Sequence, residues 1–254
     1  MFLRNEDFRS FIRYYPIISI LIGIHILLFI MVNLFGTYSI FNLGVGSNRA
    51  IEAGQYWRLI TPIFLHAGFA HVLFNSFSLY LFGPALEQML GKVKFLIGYF
   101  GAGIIANIAT FYLQDSTFSH VGASGAIFGL FGIYFYMAFY RKELIDQANS
   151  QLILMILGIG LVMTFISPNI NILGHLFGFL AGAALAPILL IGAKPYINRG
   201  MIRVRRAADT SGDIRFKPNR WQKRRIRSGS GAGSKIIWGI FIVLVALGFI
   251  VRYF

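Results

Sequence analysis

Cysteine is absent from this 254-residue sequence. Its absence excludes disulfide bonds, thiol catalysis and cysteine metal sites, and it gives no information about the redox compartment. Charged residues are also scarce, at 13% of the chain, and only nine residues are acidic. Soluble domains contain about 25% charged residues. The scarcity of charge, together with a hydrophobic content of 57%, therefore indicates a membrane protein.

Long apolar runs occupy most of the sequence. A helix needs roughly 20 apolar residues to cross a membrane, and seven stretches approach that length. They are Pro16 to Phe35, Phe69 to Leu90, Phe95 to Leu113, Val121 to Tyr140, Leu152 to Ser167, Ile170 to Ile191, and Ile236 to Val251. The first has no Ala-x-Ala-like cleavage site, so we interpret it as a retained span and not as a signal peptide. The sequence predicts an all-α polytopic membrane protein.

The basic residues lie mostly in alternate connections between these spans. Thirteen of the 23 lysines and arginines fall between Lys194 and Lys235, and seven more lie before the first span or in the second-to-third and fourth-to-fifth connections. Because basic residues in short loops mark the cytoplasmic side, this distribution predicts a cytoplasmic amino terminus and an extracytoplasmic carboxyl terminus.

The same pattern divides the chain into four parts. We expect a cytoplasmic segment at 1–15, a membrane core at 16–192, a basic cytoplasmic linker at 193–235 and a further transmembrane helix at 236–254. A basic linker between apolar stretches is expected to bind anionic lipid headgroups. No nucleic-acid partner is expected, because no nucleic-acid-binding fold signature surrounds the basic runs. The absence of a transit-like amino terminus favours the plasma membrane.

Four polar side chains are predicted at similar depth near the outer face. Ser124 lies in the opening turn of the fourth span, within VGASGAIFGLFG, and His175 lies early in the sixth. His71 and Asn75 lie early in the second span. A lone serine in a membrane helix is usually a packing residue. Polar groups at this depth, however, face the bundle interior or a water-filled cavity, so we expect these four to converge.

Glycines at four-residue spacing occur in the two spans that contain Ser124 and His175. They are Gly125 and Gly129 in the fourth span, and Gly174, Gly178 and Gly182 in the sixth. Small residues at this spacing allow two helices to pack closely. Close packing would bring Ser124 within reach of His175.

Nucleophilic catalysis fits these residues better than metal binding does. His66 and His71 are five residues apart, about 140° around a helix, and no His-Glu-x-x-His motif is present. We therefore expect no metal and no cofactor. A neutral imidazole is the usual base that activates a serine, and with no acid at the same depth the pattern favours a Ser124–His175 dyad over a triad. We interpret His71 and Asn75 as donors to an oxyanion. For Asn75 the alternative is a hydrogen bond between helices that only holds the second span in place.

The sequence resembles the rhomboid intramembrane serine proteases from roughly Gly54 to Pro187. The motifs that carry the resemblance are Tyr56-Trp57-Arg58-Leu59, HAGFAHVLFN from His66 to Asn75, Glu87, Gly122-Ala123-Ser124-Gly125, and Gly174-His175-x-x-Gly178 continuing to Gly182. The resemblance implies a six-helix rhomboid-like bundle, to which a seventh carboxyl-terminal transmembrane helix is added here.

The resemblance also implies a role for each matching residue. Ser124 would be the nucleophile and His175 its general base, with an oxyanion hole formed by His71, Asn75 and the Ser124 backbone N–H. The remaining residues would be structural: Trp57 and Arg58 in the first outer loop, His66 near the site, Glu87 as a stabilising hydrogen-bonding residue, and Gly178 and Gly182 between helices. Phe128 stands where many members have a tyrosine stacked on the catalytic histidine.

The implied activity is hydrolysis of peptide bonds in or near the outer end of transmembrane helices of substrate membrane proteins. Two other functions stay open from the sequence. One is a non-proteolytic rhomboid-like adaptor, since fold does not imply function. The other is a small-solute or proton transporter, although no internal repeat is apparent.

Overall fold

The computed structural model describes Phe2, Arg4 and residues 6–167 and 170–197. The helices within these residues are α1 (Phe8–Tyr14), α2 (Pro16–Asn33), α3 (Tyr38–Gly44), α4 (Asn48–Glu52), α5 (Phe69–Leu90), α6 (Lys92–Leu113), α7 (Ser124–Tyr140), α8 (Gln147–Ile166) and α9 (Ile172–Leu189). The predicted span at 236–254 and nearly all of the predicted linker at 193–235 lie outside the described residues.

Among the described helices, five are long and apolar enough to cross a membrane, namely α2, α5, α6, α8 and α9. Helix α7 is apolar but has only 17 residues. At about 1.5 Å per residue it is roughly 26 Å long, slightly less than a hydrocarbon core of about 30 Å. The chain is therefore a mostly helical, multi-pass membrane protein.

Three helices begin at other residues than the apolar stretches of the sequence predicted, because of the backbone or side chains at their first turns. Helix α7 begins at Ser124 and not at Val121, because Gly122 has a φ of +127° that no helix contains. Helix α8 begins earlier than predicted, since the Asp146 side chain caps a polar first turn by accepting from Asn149 N–H at 2.9 Å. Helix α6 likewise begins at a charged residue, Lys92.

Helices α7 and α9 are in backbone contact. A Cβ added at Gly178 would lie 2.1 Å from the carbonyl oxygen of Gly125, and one at Gly182 would lie 1.9 Å from that of Gly129. A carbon atom cannot approach an oxygen so closely. Only glycine fits at these positions, and the glycine spacing in the sequence corresponds to this helix pair.

Glu87 connects α5 to the beginning of α2. Its carboxylate accepts hydrogen bonds from the backbone N–H groups of Ile17 and Ile18, both at 3.0 Å. These are the donors that a capping side chain normally satisfies, and α2 has no side-chain cap of its own. A carboxylate also interacts favourably with the positive end of the helix dipole.

Arg4 donates to the backbone carbonyl that a proline leaves without its helical donor in α5, and to the next carbonyl along. Pro84 lies inside that helix and has no N–H to donate to the carbonyl of Tyr80, four residues earlier. The Arg4 guanidinium donates instead to the carbonyls of Tyr80 and Leu81. The amino-terminal segment is thereby attached to α5.

The connection from α2 to α5 is folded by polar side chains that bond to backbone carbonyls. Arg58, which is buried, donates to the carbonyls of Asn42 and Val45 at 2.8 and 2.7 Å, and Trp57 Nε1 donates to that of Leu43 at 3.1 Å. A short antiparallel pair joins β1 (Gly46–Ser47) to β2 (Ser119–His120) just before α7. The connection is therefore ordered and attached to the segment that leads to Ser124.

Candidate functional site

Ser124 is the first residue of α7 and is half-buried. The segment before it is held in place by a hydrogen bond of 2.9 Å from Gly122 N–H to the carbonyl of Pro62. Helix α7 has no side-chain cap. The N–H groups of its first turn have no acceptors within the helix, and its positive dipole end lies at the serine.

His71 and Asn75 in the first two turns of α5 lie against Gly122. A Cβ added at Gly122 would lie 2.5 Å from His71 Nε2 and 3.7 Å from Asn75 Nδ2. Asn75 is buried, and its Nδ2 has no hydrogen-bond partner among the described residues. A buried unpaired donor costs free energy, so its presence beside the serine segment needs an explanation.

His175 lies in the first turn of α9 and is buried. Gly125, which follows Ser124, packs on Gly174, the residue before His175. A Cβ added at Gly125 would lie 3.2 Å from the carbonyl oxygen of Gly174. The structure thus places the serine and the histidine on adjoining turns of two helices in contact.

The ring of Phe128 stacks on the imidazole of His175. Their centroids are 4.2 Å apart and the rings are inclined by 18°. Phe128 lies one turn after Ser124 on α7, so the stack is a second contact between the serine-bearing helix and the histidine. The resemblance implied such a ring at this position.

Thr164 on α8 bonds to the other side of the histidine. Its Oγ1 lies 2.7 Å from His175 Nδ1 and 2.7 Å from the carbonyl oxygen of Gly160. Thr164 could not be selected from the sequence, because one threonine in an apolar helix usually bonds only to its own backbone.

Asn171 and Thr110 hold the start of α9, and neither was selected from the sequence. The side chain of Asn171 accepts from Gly174 N–H at 2.9 Å and donates to Thr110 Oγ1 on α6 at 2.9 Å. An asparagine four residues before His175 is a recognisable helix-start signal, and that signal could have identified it.

The predicted supporting residues lie in three places. His66 is buried next to the site, with its ring 5.0 Å from that of His71 and 4.9 Å from that of His25 on α2. Burial lowers the pKa of His66 to about 3, with smaller contributions from the two neighbouring imidazoles. Trp57 and Arg58 belong to the ordered connection between α2 and α5 and make the backbone contacts described above. Glu87 lies near the other end of α5 and has no contact with the serine.

Among the described residues, no group of three or more His, Cys, Asp or Glu side chains could hold a metal ion. The imidazole of His25 makes no hydrogen bond within the described part of the chain. Fold and site together define a class: a helical membrane protein with a serine and a histidine on two closely packed helices and unpaired donors beside the serine.

Comparison with known proteins gives the family. A rhomboid domain model matches residues 53–192. A putative rhomboid protease of Bacillus subtilis strain 168, YdcA, is 47% identical over 189 residues, which cover 73% of this chain and 94% of the relative. The rhomboid protease GluP of the same organism is 37% identical over 172 residues, which cover 66% of this chain and 34% of the relative. Rhomboid-like protease 1 of Toxoplasma gondii is 35% identical over 153 residues, or 57% of this chain and 50% of that protein.

The chain belongs to the rhomboid family. Its similarity to these named rhomboid proteases makes it an intramembrane protease of the serine type.

Proposed function

We propose that this protein hydrolyses peptide bonds in or near the outer end of transmembrane helices of other membrane proteins, by means of a Ser124–His175 dyad. The observation that supports this most directly is the packing of the turn carrying Ser124 on the turn carrying His175, at glycines that admit no side chain. A serine is unreactive until a base takes its proton, and in the proposed site His175 is that base.

In the proposed reaction the Ser124 hydroxyl attacks the scissile carbonyl while His175 accepts the hydroxyl proton. The oxyanion that forms is bound by the uncapped N–H groups of the first turn of α7, by Asn75 Nδ2 and by His71. The protonated histidine then gives its proton to the leaving amine, and water hydrolyses the acyl-enzyme by the same steps in reverse. No metal or cofactor takes part.

The proposed substrates follow from the location of the site in a membrane bundle. A helical backbone satisfies its own hydrogen bonds, so a substrate must unwind locally before its carbonyl can be attacked. Helices containing glycine, proline or polar residues near the outer face unwind most readily, and we propose a small residue such as alanine before the cut.

Cleavage of a transmembrane substrate in liposomes tests the dyad. Ser124→Ala and His175→Ala are expected to abolish cleavage. Ser19→Ala is expected to cleave normally, since the Ser19 hydroxyl donates to the carbonyl of Tyr15 at the beginning of α2. A fluorophosphonate should label wild type at Ser124. Cleavage that survives Ser124→Ala contradicts the dyad, and substrate binding without cleavage by wild type would indicate an adaptor.

We further propose six membrane helices followed by a seventh at 236–254, in the plasma membrane, with the amino terminus inside and the carboxyl terminus outside. The absence of cysteine makes this testable with single introduced cysteines. In intact cells a membrane-impermeant maleimide should label Thr117→Cys and Tyr253→Cys but not Ser10→Cys. Protection of Tyr253→Cys would contradict the seventh span.

We also propose that the basic segment at 193–235 binds anionic lipid headgroups. The full-length protein in nanodiscs is expected to recruit vesicles that contain phosphatidylserine, and recruitment should weaken as salt rises because exposed charges are screened. Replacing Arg203, Arg205 and Arg206 with glutamine should weaken it further. Recruitment that does not depend on salt would contradict an electrostatic contact.

A further inference from the structure

We infer that Thr164 is a positioning residue that fixes the tautomer of His175 in which Nδ1 carries the proton and Nε2 is free to act as a base. The inference rests on the proposed function, since it explains how this chain holds its proposed base although no carboxylate bonds to His175 among the described residues.

The tautomer follows from the number of protons available to three atoms, the Gly160 carbonyl oxygen, Thr164 Oγ1 and His175 Nδ1. Thr164 Oγ1 lies 2.7 Å from the carbonyl oxygen of Gly160 and 2.7 Å from Nδ1 of His175. Two oxygens at 2.7 Å repel each other unless a proton lies between them, and a carbonyl has none to give. The single hydroxyl proton of Thr164 therefore points at Gly160, and the proton between Thr164 and His175 belongs to Nδ1.

This tautomer is the one that nucleophilic catalysis requires. A neutral imidazole carries one proton, so a protonated Nδ1 leaves Nε2 with its lone pair. A hydrogen bond at one ring nitrogen commonly determines the state of the other in this way. Thr164 would then take the orienting part of the role that an aspartate has in a serine triad, without contributing negative charge.

Helix α8 is shaped to bring Thr164 against the histidine. Thr164 is fully buried, and Gly160, one turn earlier on the same face, lies against Phe128, since a Cβ there would be 3.3 Å from Phe128 Cζ. Phe128 in turn stacks on His175. Three helices thus restrain the imidazole, and α8 supplies the polar contact.

The other groups around the imidazole do not compete for Nδ1. Phe128 from α7 is apolar, and no hydrogen bond joins Asn171, the residue capping α9, to the ring in the described part of the chain. The tautomer of the proposed base therefore depends on one hydroxyl.

Nitrogen NMR of the intact protein tests the assignment without requiring activity. With ¹⁵N-histidine in a Ser124→Ala background, and with the His175 signals identified by their loss in His175→Ala, Nδ1 should be the protonated nitrogen. In Thr164→Val, which keeps the shape of the side chain, part or all of the proton should move to Nε2. A native signal from protonated Nε2, or an unchanged signal in Thr164→Val, overturns the inference.

Kinetics give the second readout. Thr164→Val should lower kcat about tenfold and leave KM little changed. A tenfold loss in kcat corresponds to about 1.4 kcal/mol, which is the usual contribution of one buried hydrogen bond. Thr164→Ser keeps the hydroxyl and should restore most of the activity. Ser19→Ala removes a comparable bond from a hydroxyl to its own helix in α2, and kcat should not change. Equal losses in the valine and serine variants would mean that Thr164 acts only through packing.

Different results would contradict the proposed function and the positioning role of Thr164. If Ser124→Ala still cleaves substrate, the proposed function is wrong, whatever the tautomer. If Ser124→Ala is inactive but the His175 tautomer does not respond to Thr164, the proposed function stands and the positioning role is wrong.

Discussion

Asn75 and Asn48 show two opposite uses of a buried asparagine amide. The Nδ2 of Asn48 donates to three carbonyls at the end of α6 and beyond it, those of Phe111, Gln114 and Asp115. The Nδ2 of Asn75 has no partner among the described residues. The first amide stabilises the folded chain, and the second is available to a transient acceptor such as an oxyanion.

Substitution of these two asparagines should separate catalysis from stability. Asn75→Ala is expected to lower kcat by about 10²- to 10³-fold, the usual loss for one oxyanion donor, with little change in Tm. Asn48→Ala is expected to lower Tm, because it leaves helix-end carbonyls unpaired. Turnover and Tm in detergent measure both. If Asn75→Ala lowers Tm and leaves turnover intact, Asn75 makes only an interhelical contact.

Glu87 allows a prediction about stability alone. Glu87→Gln keeps the shape but removes the charge at the amino-terminal end of α2, so we expect a loss of about 1 to 2 kcal/mol in the free energy of unfolding. Glu143→Gln is the matched control, because Glu143 is exposed and surface ion pairs contribute little. Denaturant titration in mixed micelles measures both, and equal effects would contradict a specific cap.

At the scale of elements, the contact between α7 and α9 is what brings the site together. Ser124 and His175 are 51 positions apart in sequence, and their helices meet closely because glycine carbonyls and glycine Cα atoms pack against each other. Dispersion between close backbones is a main attraction between helices in lipid. Geometry at the proposed dyad should therefore be sensitive to small changes in this contact.

Added methyl groups test that sensitivity. Gly178→Ala would place a Cβ 2.1 Å from the Gly125 carbonyl oxygen, so the helices must separate, and we expect at least a tenfold loss of activity with a lower Tm. Gly158→Ala places its Cβ in open space and should be neutral or stabilising by up to about 1 kcal/mol. Full activity in Gly178→Ala would contradict the close-contact interpretation.

At the scale of the whole molecule, the fold surrounds two imidazoles, the buried His66 and the partly buried His120, with groups that disfavour their charged form. Burial lowers the pKa of His66 to about 3 and that of His120, which bonds to Asn107, to about 4. The ordinary value is 6.5. Between pH 6.5 and pH 4 the unfolded chain therefore binds protons that the folded chain does not.

The sign of the resulting pH dependence follows from linkage. The free energy of unfolding should fall as pH decreases from about 6.5 to about 4, by up to about 1.4 kcal/mol per pH unit for each histidine. Tm in detergent measured from pH 8 to pH 4 should show this loss. His120→Gln keeps a donor for Asn107 but does not titrate, so its Tm should depend less on pH. An identical slope in both proteins would contradict the neutral state of His120.

The sequence by itself determined the class of protein and most of its helices. Apolar length and a scarcity of charge predict membrane helices because lipid admits few other structures, and Phe69–Leu90 has the same bounds in the sequence and in α5. Motif residues at recognisable spacing also led to Ser124 and His175 as candidates. Helix starts at Lys92 and Gln147 were missed, because polar first turns resemble loops when only hydrophobicity is considered.

Only the tertiary structure decided which side chains meet. Thr164, Asn171 and Thr110 become visible when α6, α8 and α9 are packed together, since their hydrogen bonds join residues 11 or 61 positions apart. The unpaired amide of Asn75 and the lack of space at Gly178 are likewise properties of the packed bundle. Local sequence specifies helices through hydrophobicity and capping. The tautomer of a base and the donors beside a nucleophile depend on distances between helices, which no single stretch of sequence contains.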